Sequence, residues 1–194
     1  MKTWRMKKLR QSMKRSSSTK RPATQNRQYA NKGKELEGLL ENVCFVYKMK
    51  GVGLIHKIPN EWTVKRAGGR IVEAFPSKKS TVDFEGILQG GISIAFEAKE
   101  TTNKTSFPLD NIKEHQLEFL RSHDRLGGCS FLILRFVNLN KIFKIEYKEL
   151  EKMIQECKEQ GRKSIPVGRF SEIGDGCNLV TMRQGLPDFM EAME

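Results

Sequence analysis

Apolar residues first recur at helical spacing at Leu36, Leu39, Leu40, Val43 and Tyr47, which predicts an amphipathic helix over residues 34–49. Asn31-Lys32-Gly33 forms its approach, and Gly51 and Gly53 break it. Residues 54–58 read as a strand stopped by Pro59. Two β-type runs then flank the turn Gln89-Gly90-Gly91. The first begins at Thr81-Val82-Asp83 and the second ends at Phe96-Glu97-Ala98-Lys99. Phe107-Pro108 leads into a helix over about residues 109–123, with proline near its start as helices prefer. Leu109, Ile112, Gln116, Phe119 and Leu120 share one stripe of that helix, Gln116 being its polar member. Residues 129–137 are almost continuously apolar, the pattern of a strand covered on both faces. Residues 142–147 form another strand, and 147–160 a helix ended by Gly161. The order α-β-(arm)-β-β-α-β-β-α predicts an α/β fold, a mixed central β-sheet flanked by helices.

Three stretches do not fit that alternation. Residues 1–30 mix Ser16-Ser17-Ser18-Thr19 with scattered charge and read as disordered. Residues 60–79 combine an aromatic, β-branched residues and five bases around Gly68-Gly69, the composition of a protruding hairpin or an ordinary solvated one. Residues 162–194 are Gly-rich and weakly patterned, and the pattern assigns them no element.

Charge sharpens the organisation. The 194 residues carry a formal net charge of +12, and residues 1–34 alone hold twelve Lys/Arg and no acid. Outside them, 23 basic residues face 23 acidic ones, so the excess sits on a basic arm, residues 1–30, ahead of a near-neutral domain, 31–194. Such an arm suits nucleic acid or an acidic surface. A transit peptide is a competing reading of an acid-free, Arg/Ser-rich start, but no secretory apolar core follows. No run approaches the eighteen apolar residues of a membrane span. Cys44, Cys129, Cys157 and Cys177 are isolated, without a C-x-x-C pair, which suits reduced thiols in a cytoplasm and offers no zinc pattern.

The candidate chemistry lies in the central hairpin. Glu-x-Lys occurs three times, at Glu97/Lys99, Glu146/Lys148 and Glu156/Lys158. Only the first combines a strand, an Asp fourteen positions upstream (Asp83) and a following helix that offers Gln116. Residues two apart on a strand share a face, so Glu97 joins Lys99, and Thr81 joins Asp83. Two carboxylates converging with one ammonium suit a hard divalent cation, Mg²⁺ with Mn²⁺ as a substitute, and phosphodiester hydrolysis. In that reading Asp83 and Glu97 supply carboxylate oxygens, Gln116 an amide oxygen and Thr81 a hydroxyl, while Lys99 stabilises the transition state. The plain alternatives are a surface ion pair for Glu97 and Lys99 and a turn residue for Asp83. Lys57, Trp62, Lys65, Arg66, Arg70, Lys78 and Lys79, in and beside the arm at 60–79, are the candidate DNA contacts.

Longer strings carry a resemblance. Asn31-Lys32-Gly33, Leu36-Glu37, His56-Lys57-x-Pro59, Thr81-x-Asp83, Phe96-Glu97-Ala98-Lys99-Glu100-Thr101, Asn103-Lys104-Thr105-Ser106-Phe107-Pro108-Leu109, His115-Gln116 and Gly161-Arg162-Lys163-Ser164-Ile165 follow in order. Together they resemble the RecU family of Holliday junction resolvases, within the PD-(D/E)xK, restriction-endonuclease-like nucleases, over about residues 31–165. The resemblance implies that Thr81, Asp83, Glu97 and Gln116 are Mg²⁺-site residues, that Lys99 stabilises the transition state, and that Glu37 assists from the first helix. It implies that residues 60–79 form a stalk entering the junction centre. It further implies a homodimer nicking opposed strands symmetrically, cytoplasmic action in recombination and repair, and a RecA-type recombinase as partner.

This chain departs from the pattern in three places. Val82 replaces the Pro of the wider superfamily, the stalk differs at Trp62 and Gly68-Gly69, and the tail and the region after Ile165 match poorly. Such divergence suits a phage or mobile-element relative. The competing functions are a nuclease of the same fold with another DNA substrate and a non-catalytic branched-DNA-binding factor. Intact Thr81, Asp83, Glu97 and Lys99 favour catalysis.

Overall fold

The computed structural model describes residues 34–59, 62–76, 81–171 and 176–191, with the backbone alone at Trp62, Phe75 and Pro76. The arm, residues 1–30, and Lys78 and Lys79 lie outside the described residues, as does the Trp62 side chain.

Helix α1 (Lys34–Met49) occupies the predicted span and leads into β1 (Gly53–Lys57). Strands β2 (Trp62–Ala67) and β3 (Arg70–Pro76) form a separate ribbon. Then come β4 (Phe84–Leu88), β5 (Ser93–Thr101), the short β6 (Ser106–Pro108), helix α2 (Glu114–Arg125), β7 (Cys129–Phe136), β8 (Lys141–Glu146) and helix α3 (Tyr147–Glu159). Six strands share one sheet in the order β1-β4-β5-β7-β8-β10, β10 being Cys177–Leu179. Only β5 and β7 are parallel, so the sheet is mixed as expected.

The alternation of side chains explains the apolar run of β7. Phe131 and Ile133 join a core under α1 with Leu36, Leu40, Ile55, Phe84 and Phe96. Leu132 and Leu134 join the opposite core with Leu150, Met153 and Ile154 of α3. Cross-strand neighbours Phe84, Phe96 and Phe131 stack at 4.8 Å between successive ring centroids. Gly86 lets β1 come close to β4: a Cβ there would lie 2.3 Å from the Leu54 carbonyl oxygen.

Several boundaries differ from the sequence reading. Thr81, Val82 and Asp83 precede β4 rather than belonging to it. The helix expected over 109–123 opens as a 3-10 turn, Leu109–Asn111, and becomes α-helical only at Glu114, because Lys113 is extended (φ −92°, ψ 146°). The region that the pattern did not assign also contributes to the fold. Strand β9 (Ser164–Pro166) pairs with β6, helix α4 is Val167–Ser171, and β10 is the sixth strand of the main sheet. Strands β11 (Thr181–Arg183) and β12 (Leu186–Asp188) form a hairpin that reaches α1. There Tyr47 donates to Asp188 Oδ1 at 2.7 Å and accepts from the Met190 amide at 3.1 Å. Three-residue strands are too short for a period-two pattern, so the sequence carried no readable signal for them.

In the β2–β3 ribbon, Gly68 and Gly69 take φ of +58° and +80°, which gives the tight two-residue turn that such positions favour. Every described side chain of the ribbon is exposed, and none joins a core cluster.

Candidate active site

The β4–β5 pairing builds the site. Its register sets Phe84 opposite Phe96, and both rings point to the α1 face. The residues one step outward, Asp83 and Glu97, therefore turn to the opposite face, the side of α2. Asp83 is fixed by its backbone carbonyl, which accepts from Ile58, and by its Oδ2, which accepts from the Ala98 amide at 3.0 Å. Val82 is fully buried with Ala95, Leu120 and Tyr147, so an apolar residue suits this position as well as the superfamily proline.

Glu97 lies on the central strand and is fully buried. Its Oε1 accepts from Lys99 Nζ, two residues along the same face, and from Gln116 Nε2 at 2.7 Å. Its Oε2 is buried with no hydrogen-bond partner. Burial first, and then the neighbouring Asp83 charge, push the Glu97 carboxyl up to about 8, while Lys99 opposes the shift. The Lys99–Glu97 pair is therefore no solvated surface contact. It is a desolvated carboxylate that two donors only partly satisfy.

An unpartnered, buried carboxylate oxygen beside a second carboxylate is the arrangement a divalent cation would satisfy. Among the described residues, no three His, Cys, Asp or Glu side chains form a metal-binding group, which leaves the Asp83–Glu97 pair as the candidate donors. This fits a hard cation that keeps several waters.

The other expected site residues fall in different places. Gln116 is nearly buried and touches Glu97, but through its amide nitrogen. Its Oε1 accepts from the Lys113 amide at 3.0 Å, closing the first turn of α2. Thr81 is exposed, and its hydroxyl lies 3.4 Å from Glu85 Oε1. Glu37 is paired at 2.8 Å with Lys57, which also binds Glu41 at 2.7 Å. Lys57 stands opposite Phe84 in the β1–β4 register, so this triad belongs to the α1 face, behind the Asp83–Glu97 pair. Glu41 was not singled out in the sequence, although its spacing four residues after Glu37 on a helix was a usable signal. In the ribbon, Lys65 pairs with Glu73 at 3.0 Å, while Arg66 and Arg70 flank the turn and are exposed.

A mixed sheet carrying paired carboxylates and a lysine where two central strands meet is the architecture of the α/β nuclease-like folds. The chain belongs to the recombination protein U (RecU) family, whose model matches residues 31–193. That match continues well beyond Ile165, through the region where the sequence resemblance was weak. Curated relatives named Holliday junction resolvase RecU include one from Pediococcus pentosaceus, 41% identical over 152 residues and 75% of each chain. One from a Geobacillus strain is 38% identical over the same shares. One from Staphylococcus aureus is 33% identical over 181 residues, 90% of this chain and 86% of its own.

Proposed function

We propose that this protein is an endonuclease that resolves four-way (Holliday) DNA junctions, acting as a homodimer with a divalent cation at the Asp83–Glu97 pair. The observation that carries the catalytic part is the unpartnered Oε2 of Glu97, buried beside Asp83 and Lys99 in a chain of the RecU family. Asp83 and Glu97 would hold the cation, Mg²⁺ by the all-oxygen donor set and Mn²⁺ as a substitute, with Thr81 at the rim. When bound, such a cation lowers the pKa of water and polarises the scissile phosphoryl group.

The chain's own residues do the rest. Gln116 holds Glu97 Oε1 in place and ties its orientation to the first turn of α2. Lys99 donates to Glu97 Oε1, and from that position its ammonium would stabilise the charge that develops on the phosphate. The β2–β3 ribbon, with Arg66 and Arg70 at its turn, enters the junction centre, and the basic arm holds flanking phosphates. Two such sites related by a two-fold axis match the two-fold symmetry of a four-way junction and would nick opposed strands in a pair. The role in recombination and repair belongs to the cytoplasm, with a RecA-type recombinase as the partner that generates the junctions.

The test is cleavage of a labelled synthetic four-way junction and of linear duplex of the same sequence, with Mg²⁺ or EDTA. Paired symmetric nicks in the junction alone, lost in EDTA and in Asp83→Ala while binding persists, are expected. Equal cutting of both substrates would remove the junction role, and tight junction binding without cutting under any divalent cation would remove the enzyme.

A further inference from the structure

Two of the strings singled out in the sequence, residues 103–109 and 161–165, lie outside the Asp83–Glu97 site, and the fold brings them together. Strand β6 pairs with β9, setting Phe107 opposite Ile165. The ladder continues beyond both strands: the Leu109 amide donates to the Lys163 carbonyl at 3.0 Å, and the Val167 amide to the Thr105 carbonyl at 2.8 Å. Phe107 and Ile165 are fully buried in one core with Ile154 and Cys157 of α3. The first string is also tied to the catalytic strand and to α2. It leaves β5 just after Lys99, where the Thr102 carbonyl accepts from Asn138 Nδ2 and the Asn103 amide donates to Thr101 Oγ1 at 3.2 Å. The chain returns at Lys113, whose amide holds the Gln116 oxygen and through that side chain Glu97. A cleft of about 580 Å³, lined by Lys113, Leu117, Ile154 and Lys158 among others, sets the start of α2 beside the end of α3.

Five bases gather at this end of the two helices: Lys104, Lys113, Lys158, Arg162 and Lys163, all exposed. Elsewhere in the domain, bases are answered by acids: Lys57, Arg121, Arg135 and Arg169 each meet a carboxylate oxygen at 2.7–3.1 Å. Here none of the five meets a carboxylate among the described residues, and Lys113 Nζ donates only to the Asp110 carbonyl, at 2.8 Å. Of the acids nearby, Glu156 is held by Arg169 and Glu159 accepts from Gln155, which leaves Asp110 and Glu114 against five cations. We infer that this end of the α2–α3 layer is a phosphate track, along which one duplex arm of the DNA runs from the catalytic pair. The inference rests on the DNA substrate proposed above and names a contact surface for it. Charge favours a row of phosphates as the occupant. Continuity favours the substrate itself, because the track begins at Lys113, three residues before the Gln116 that touches Glu97. Cations on a buried ladder and a helix end fix the register of a duplex without reading its bases, as a nuclease selecting by shape requires.

The experiment measures binding of the full chain to a fluorescent synthetic four-way junction over a series of KCl concentrations, in EDTA so that no strand is cut. The variant carries Lys104→Gln, Lys158→Gln and Lys163→Gln together. Its log–log salt slope is expected to be shallower than that of wild type by about 2–3, at about 0.9 for each phosphate released. Each single change should remove about 0.9, which keeps the test open if circular dichroism shows the triple variant misfolded. Lys48→Gln with Lys50→Gln, at exposed lysines where α1 ends, should keep the wild-type slope. A variant slope equal to wild type, or a control that flattens as much as the variant, overturns the track. If the slopes behave as expected and wild type nicks no junction under any divalent cation, the track stands and the nuclease reading falls. If wild type binds no DNA, the track falls together with the junction role.

Discussion

Gln116 donates its side-chain amide to Oε1 of the buried Glu97 at 2.7 Å and, through its own oxygen, accepts the Lys113 amide at the start of α2. One side chain thus couples the orientation of the buried Glu97 carboxylate to the first turn of a helix. Replacing it with alanine removes a hydrogen bond to a buried carboxylate and the helix cap together. Gln116→Ala is expected to lower stability by about 2–3 kcal/mol in urea unfolding and to reduce cleavage more than junction binding. Unchanged stability would mean that the amide does not hold Glu97.

The raised Glu97 carboxyl makes the metal-free protein sensitive to alkaline pH. Its ordinary value is 4.5 and its folded value about 8, so the folded state binds the proton more tightly than the unfolded one. Its stabilising contribution is complete below about pH 4.5 and is lost as pH rises through 8. At about 1.4 kcal/mol per unit, unfolding in EDTA should cost less by a few kcal/mol at pH 8.5 than at pH 6. Glu97→Gln should flatten this slope, and excess Mg²⁺ should reverse it. A wild-type stability independent of pH between 6 and 8.5 in EDTA would contradict the burial of this charge.

The β2–β3 ribbon contributes no side chain to the cores. Replacing residues 62–75 with a short Gly/Ser linker should therefore change stability by no more than about 0.5 kcal/mol, as surface changes do, and leave metal-dependent nicking intact. Preference for junction over duplex should vanish. Retained preference would show that the ribbon does not read the junction.

Residues 1–30 hold ten Lys/Arg. Deleting them should weaken DNA binding and flatten its dependence on salt, by about 0.9 in the log–log slope for each phosphate that the arm no longer neutralises. An unchanged slope would show that the arm does not touch DNA.

Phe189 is fully buried against Phe96, Phe131 and Tyr47, with ring centroids 5.1, 5.9 and 5.1 Å away. Phe189→Ala should cost about 3–5 kcal/mol in denaturant unfolding, far more than its place near the chain end suggests. Near-neutral behaviour would mean that the C-terminal hairpin is not part of the α1 core.

The sequence by itself determined the long elements and singled out the candidate group, Glu97 with Lys99 and Asp83. Helix α1 spans the predicted residues because its stripe is strongly periodic. Strand β7 was readable because both of its faces are buried, and Glu97 and Lys99 share a face because a strand repeats every two residues. What the tertiary structure decided was every relationship that depends on a partner distant in sequence. Glu97 loses its solvent, and with it its ordinary acidity, only when α2 and β4 close over it. Gln116 turns its nitrogen rather than its oxygen to Glu97 because Lys113 takes the oxygen. Glu37 goes to Lys57 on the opposite face of the sheet because β1 pairs with β4. Cys177–Leu179 joins the main sheet, and Leu186–Asp188 the α1 core, through three-residue strands whose pairing energy comes from the surfaces they meet rather than from any local pattern.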